Sequence, residues 1–303
     1  MRNVYEQVDS NKRKSFLVMF FFTIFVAGFA YILGEASGYG LSWVGIALVF
    51  SGLMSYVSYY HSDKIILGLS KAREADRKKD FNFYTVTENL CLAAGLPKPK
   101  LYVIEDTATN AFATGRDPKH AVVCVTSGLL AKLDRTELEG VVGHELSHIG
   151  NYDMRLMSIV TVMVGLVTLL ADWFLRASFF GGRSRNNDRD SNQLQMIMFV
   201  AGLLLALLSP LIANLIKLAI SRRREFLADA SAVKLTRFPD GLARALKKID
   251  SDKDPLEVAS KATAHLYITN PLKNNHSSVG WFSGLFNTHP SISERVEALS
   301  LMS

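Results

Sequence analysis

Long apolar stretches alternate with polar segments along the chain, and this pattern predicts most of its elements. Residues 16–33 and 41–60 contain no Asp, Glu, Lys or Arg, and each is long enough for the roughly 17–25 residues a helix needs to cross a hydrocarbon core. Two later runs, 156–171 and 194–216, are also uncharged. Pro210 is expected to kink or end a helix within the fourth run. The polar segment 181–190 between the later runs holds Arg183, Arg185 and Arg189. The four runs predict two helical hairpins, with the second read as spanning rather than re-entrant because of its length. Elsewhere residues 82–95 read as a helix, and 101–105 and 121–126 as short strands, with Pro97 and Pro99 breaking the chain between. Residues 240–251, 254–267 and 291–301 read as amphipathic helices.

Composition narrows the class. The chain has 303 residues, 49% hydrophobic and 20% charged, with mean hydropathy +0.16. These values exclude a disordered chain, a collagen and a disulfide-rich scaffold. Cys91 and Cys124 both lie in apolar surroundings and read as buried thiols. The net charge of +6 is assigned to a lipid bilayer rather than nucleic acid, because the apolar runs favour a membrane. Lys12, Arg13 and Lys14 precede the first run, and Lys64, Lys71, Arg73, Arg77, Lys78 and Lys79 follow the second. The segment 34–40 between them has neither Lys nor Arg, so the positive-inside rule puts the N-terminus and the chain after residue 60 in the cytoplasm. A cleaved leader is disfavoured, since no small-residue cleavage site precedes the second run. The three arginines of 181–190 oppose the same rule if the second hairpin spans.

The chemistry is concentrated in residues 134–148. Asp134 with Glu137 three residues on marks a helix start of the capping-box type. His144 and His148 then stand at i and i+4 on one helix face, where two imidazoles can reach one tetrahedral metal. Glu145, rotated by about 100°, can contact water at such a metal without being a ligand. A catalytic zinc needs a third protein ligand and an open position. A metzincin would have Gly at 151 and His at 154, whereas this chain has Asn151 and Met154. A carboxylate from another helix is the remaining common solution. Glu225 and Asp229 are spaced so that one can bind metal while the other accepts a hydrogen bond from a ligand imidazole. Arg222, Arg223 and Arg224 beside them read as lipid-headgroup anchors. If His144 and Glu225 bind one metal, both ends of the second hairpin lie on the metal's side, and the chain between them crosses twice or not at all.

Taken together, the two N-terminal runs, H-E-L-S-H at 144–148 with Asn151 and Asp153, and E-F-L-A-D at 225–229 resemble the HtpX family. These are bacterial membrane zinc endopeptidases related to the CAAX prenyl proteases. The resemblance extends over nearly the whole chain and includes Asn110-Ala111-Phe112-Ala113-Thr114-Gly115 and Thr288-His289-Pro290 followed by Arg295. It implies one zinc ion per chain held by His144, His148 and Glu225, with Asp229 and Asn151 behind the ligands and Glu145 as the catalytic base. It further implies that Asn110, Ala111, Phe112, Ala113 and Thr114 form an edge strand that binds substrate, and that His289 and Arg295 assist near the oxyanion or the substrate backbone. The family usually has a second proline where this chain has Ser291. Stress response and placement in the bacterial inner membrane also follow from the resemblance.

The fold expected is a mainly α membrane protein, with transmembrane helices and a cytoplasmic gluzincin-like α+β zinc protease domain holding a small β-sheet. Residues 1–62 form the first hairpin, 63–155 the protease segment with edge strand and zinc helix, 156–220 the second hairpin, and 221–303 the protease segment with the third ligand. The expected activity is hydrolysis of peptide bonds in membrane or misfolded proteins on the cytoplasmic side. The competing readings are a zinc-containing membrane scaffold with a closed coordination sphere and a dedicated prenyl-protein protease. A transporter is disfavoured because no run carries a charge near its middle.

Overall fold

A computed structural model describes residues 4–36, 41–180, 189–207, 222–252, 254–259, 263–269, 271 and 290–302. The first apolar run lies in helix α1 (Val4–Ala36) and the second in α2 (Ser42–Leu69). A four-stranded sheet follows, built from β1 (Arg73–Glu74), β2 (Lys100–Ile104), β3 (Ala111–Gly115) and β4 (Ala121–Thr126), with helix α3 (Phe81–Ala94) between β1 and β2. The spatial order is β1-β2-β4-β3, in which β2 and β4 are parallel and the two outer pairings antiparallel. β3 is therefore an edge strand. Next come α4 (Ser127–Lys132), α5 (Arg135–Gly150), α6 (Asp153–Phe180) and α7 (Arg189–Leu207), then α8 (Arg222–Thr236), α9 (Pro239–Ser251) and α10 (Ile292–Ser300).

Period-two alternation buries the sheet on both faces. Val103, Val123 and Val125 join a core with α3, α5, α8 and α9. Ile104, Phe112, Val122 and Cys124 point the other way, onto Ile66 and Leu67 of α2 and Leu156, Met157 and Val160 of α6. Helix α5 starts where its cap dictates: the Asp134 carboxylate accepts from Glu137 N at 2.9 Å, and Glu137 Oε2 accepts from Asp134 N at 2.8 Å. Two glycines let neighbours approach this helix closely. A Cβ on Gly140 would lie 2.7 Å from Leu242 Cα of α9, and one on Gly143 3.3 Å from Ala232 Cβ of α8.

The apolar helices expose large side chains. Phe16, Phe20, Phe21 and Ile24 of α1, Ile46, Val49 and Leu53 of α2, and Met196 and Leu203 of α7 face outward, an apolar surface a water-soluble monomer rarely shows. Of the four expected spans, two are long and apolar enough to cross a membrane among the described residues, Val8–Glu35 and Asp153–Arg176. Met196–Leu205 is a shorter apolar stretch within the fourth run, and Pro210 lies outside the described residues.

One expected helix is corrected. Residues 254–259 and 263–269 carry only the short 3₁₀ turn Ala264–Leu266 in place of a helix over 254–267. Tertiary bonds take the backbone instead: Glu257 N donates to Asp106 Oδ2 and Ile268 N to Ala111 O. Leu256, Leu266, Tyr267 and Ile268 are all buried, so burial on several sides overrides the helical period.

Candidate metal centre

Helices α5 and α8 pack face to face and deliver three ligand-type side chains to one point. Ser147 Oγ bridges them, donating to Gly143 O at 3.0 Å and contacting Ala228 O at 3.4 Å. His144 Nε2 lies 3.2 Å from His148 Nε2 and 3.7 Å from Glu225 Oε2, while His148 Nε2 is 3.5 Å from Glu225 Oε1. All the donor atoms of this trio fall within 4.8 Å of one another.

The other ring nitrogens show what the trio is for. His144 Nδ1 is 2.9 Å from Asp229 Oδ1, and His148 Nδ1 is 3.1 Å from Asp153 Oδ2. A carboxylate only accepts, so each Nδ1 carries its proton and each Nε2 of a neutral ring presents a lone pair. Two lone pairs facing each other at 3.2 Å repel unless a proton or a cation lies between them. Two imidazoles and a carboxylate, oriented from behind by other carboxylates, make the donor set of a catalytic zinc site, so the residues fit the ion.

The electrostatic field agrees. His144 is pushed down to about 4 by burial and by the Arg295 guanidinium, against the pull of Asp229. His148 is buried too, yet Asp153, Glu225 and Glu145 outweigh that cost and raise it to about 9. The carboxylates that stabilise a proton on His148 would stabilise a dication in the same place. Asp229 is buried but held below the usual carboxylate range by Arg295 and His144.

Glu145, 3% exposed, lines a small cleft together with His144, His148, Ala113 of β3, Met157, Leu266 and Ile268. The edge strand thus borders the metal trio. In the β3–β4 register Phe112 faces Cys124 and Thr114 faces Val122. The outer-edge groups are those of Ala111, whose carbonyl accepts from Ile268 N, and Gly115, whose N–H donates to Ser158 Oγ at 3.3 Å. By alternation Ala113 presents its main chain on the same edge. Asn110 anchors the strand's start, donating from Nδ2 to Thr269 O at 3.1 Å.

Other expected site residues fall in different places. Arg295 is fully buried behind the trio, where Nε and Nη2 hold Asp229 in a fork at 2.8 and 2.6 Å. Its Nη2 also lies 3.2 Å from His144 Nδ1; both are donors converging on Asp229, so this is a shared acceptor rather than a bond between them. Asn151 caps α5, and its carbonyl accepts from Asn11 Nδ2 at 2.9 Å. The residue touching His148 from behind is Asp153, which the spacing argument had not used. Arg224 corrects the headgroup-anchor reading: it is mostly buried and bonds Asp153 Oδ1 at 2.8 Å. His289 lies outside the described residues. Ser291, the departure from the family's proline, caps α10: its Oγ accepts from Glu294 N at 3.2 Å and its N–H donates to Glu294 Oε2 at 3.0 Å. A proline has no N–H for the second bond.

An HExxH helix with a carboxylate ligand from a second helix and an acid beside the cleft defines a metallopeptidase-type centre. Residues 77–303 match the family model for Peptidase family M48, and the chain belongs to that family. It is 44% identical to a protease HtpX homolog of Dictyoglomus thermophilum over 98% of this chain and 94% of that one. It is 42% identical to a protease HtpX homolog of Caldanaerobacter subterraneus subsp. tengcongensis, over 98% and 97%. The resemblance drawn from the motifs is borne out. Among solved structures, the crystal structure of S. mikatae Ste24p aligns over 97% of this chain and 67% of that one, at 18% identity and TM-score 0.45.

Proposed function

We propose that this metalloprotease is a zinc endopeptidase embedded in the bacterial inner membrane, cleaving membrane or misfolded proteins at the cytoplasmic face. The observation that carries the reading is the His144–His148–Glu225 trio with Glu145 and β3 on the same cleft. Zinc held there supplies Lewis acidity, acidifying water and polarising a carbonyl. Glu145 accepts a proton as the water oxygen bonds the scissile carbon, and passes it to the amine as the C–N bond breaks. Asp229 and Asp153 hold the two imidazoles in the tautomer that leaves Nε2 to the metal. Arg295 fixes Asp229 and stays charged against it; we assign it a positioning role.

Substrate enters as an added strand beside β3, pairing with the outward main chain of Ala113, a mode that reads little sequence and suits many substrates. The segment carrying Ile268 already holds Ala111 O, so substrate competes with it for the edge. Glu145→Gln is expected to keep zinc and lose cleavage of an unfolded protein by at least about 100-fold, the low end for removing a general base. Detergent-purified wild type and variant, assayed with and without chelator, test this. Full cleavage by the variant, or cleavage indifferent to chelator, sinks the reading.

A further inference from the structure

The turn joining α5 to α6 decides whether His148 is held, because Asp153 must fold back onto it. Tyr152 takes a left-handed φ of 60° to make that return, a conformation an aromatic residue keeps only where its surroundings impose it. The surroundings include Arg155 of α6, whose guanidinium lies 4.9 Å from the centre of the ring, and helix α1, which precedes the segment matched by the family model. Asn11 Nδ2 donates to Asn151 O at 2.9 Å and to Asp153 Oδ1 at 2.8 Å. Lys12 places its ammonium 4.9 Å from the centre of the Tyr152 ring. From α8, Arg224 Nη1 bonds both Asn11 Oδ1, at 3.2 Å, and Asp153 Oδ1, at 2.8 Å.

Asn11 is 3% exposed. Its amide has two N–H donors and a carbonyl; both donors serve the turn and the carbonyl serves Arg224. A buried amide costs stability unless it is bonded in this way. The arrangement also divides the Asp153 carboxylate: Oδ1 faces Asn11 and Arg224, leaving Oδ2 for His148 Nδ1.

We propose that Asn11 is a positioning residue for the metal centre, acting with Arg224 through Asp153 to orient His148. The inference rests on the zinc reading above. It makes the first apolar helix part of the site's scaffold as well as an anchor. Ligand orientation then depends on how α1 is docked, although no α1 side chain is among the ligands.

The test uses the full-length chain in detergent. Asn11→Leu keeps the branched shape and removes both donors and the acceptor; Asn11→Ala is the second variant. Ser15→Ala is the control, since Ser15 is buried one turn further along α1 and, among the described residues, its hydroxyl donates to Asn11 O alone. Zinc affinity is read by competition with a chromophoric chelator, ligand geometry by the visible spectrum of the cobalt form, and stability by thermal unfolding in excess chelator. Removing a partner behind a metal ligand typically costs about 10–100-fold in affinity, and Asn11, one bond further out, is expected near tenfold. We expect that loss and an altered cobalt spectrum for both Asn11 variants, a lowered but still cooperative unfolding transition for Asn11→Leu that leaves it folded at the assay temperature, and wild-type zinc binding for Ser15→Ala. Zinc affinity within about twofold and an unchanged cobalt spectrum in Asn11→Leu overturn the proposal, as does an equal loss in Ser15→Ala. A wild type that binds no stoichiometric zinc instead overturns the metal-centre reading beneath it.

Discussion

His144 and His148 sit one turn apart on the same helix and are both buried, yet their proton affinities move in opposite directions. The difference lies in what stands behind each ring. Burial and the Arg295 charge discourage a proton on His144, despite Asp229. Burial of His148 is outweighed by Asp153, Glu225 and Glu145. A divalent cation at the trio must therefore displace a proton from His148 at any pH below about 9, and must displace none from His144 above about 4. The sign follows: metal affinity rises with pH, by up to about tenfold per unit, and levels off as pH passes through the His148 value. Zinc competition measured from pH 6 to about 9.5 checks this, and a flat profile contradicts it. At this scale the candidate trio was legible in the sequence, the two histidines because spacing on one helix is geometry and Glu225 from the family's motif. Asn11 and Arg224 were not legible. A polar residue before an apolar run and an arginine after one read equally well as interfacial groups, and only the fold shows both converging on Asp153.

At the scale of elements, helix and strand periods in the peptidase portion matched closely: residues 82–95 became Phe81–Ala94, and 121–126 became Ala121–Thr126. Helix 254–267 failed because its apolar positions serve several neighbours at once. Leu256, Leu266 and Tyr267 pack toward α2 and α6, while Ile268 joins the opposite core. That failure exposes a functional point. The chain after the Ala264–Leu266 turn lays Ile268 N–H on Ala111 O, the position a substrate strand entering beside Ala113 would use next. Ile268→Pro removes this donor. One such hydrogen bond is worth roughly 0.5–1.5 kcal/mol net, so KM for an unfolded substrate should fall by about 2–10-fold with kcat little changed. A rise in KM in a variant of wild-type melting temperature contradicts strand addition on this edge. Ser291 belongs to the same scale: Ser291→Ala should cost about 1 kcal/mol by uncapping α10. Thermal unfolding of wild type and variant, read as a lower midpoint, measures it.

For the whole molecule, the question is whether the second hairpin crosses the bilayer. α1 and α6 leave the metal centre side by side, joined at Asn11 and Asp153. Far along both helices the rings of Phe29 and Phe174 meet edge to face, 6.2 Å apart, and Phe22, Phe25 and Phe29 pack on Val167 and Ala171. At 1.5 Å per residue the two helices have by then risen about 27 and about 32 Å, close to the ~30 Å of a hydrocarbon core. α6 therefore keeps pace with α1, and if α1 crosses, α6 reaches the far side with it. Because His148 and Glu225 share one centre, the chain must then return, so the proposed orientation expects the α6–α7 connection, with Arg183 and Arg185 in its sequence, on the outer side. A single cysteine reports the side. The native thiols are suited to silence: Cys91 and Cys124 are both buried, and burial lifts Cys91 to about 11 and Cys124 further still, leaving almost no thiolate at neutral pH. Ser184→Cys should thus be modified by a membrane-impermeant maleimide applied to intact spheroplasts. Ser70→Cys, just past α2, should react only after the inner membrane is breached and the protein unfolded, since Ser70 is buried. Labelling of Ser184→Cys solely after membrane disruption would contradict an outer α6–α7 connection, and with it the crossing of α1 and α6 from a cytoplasmic metal centre.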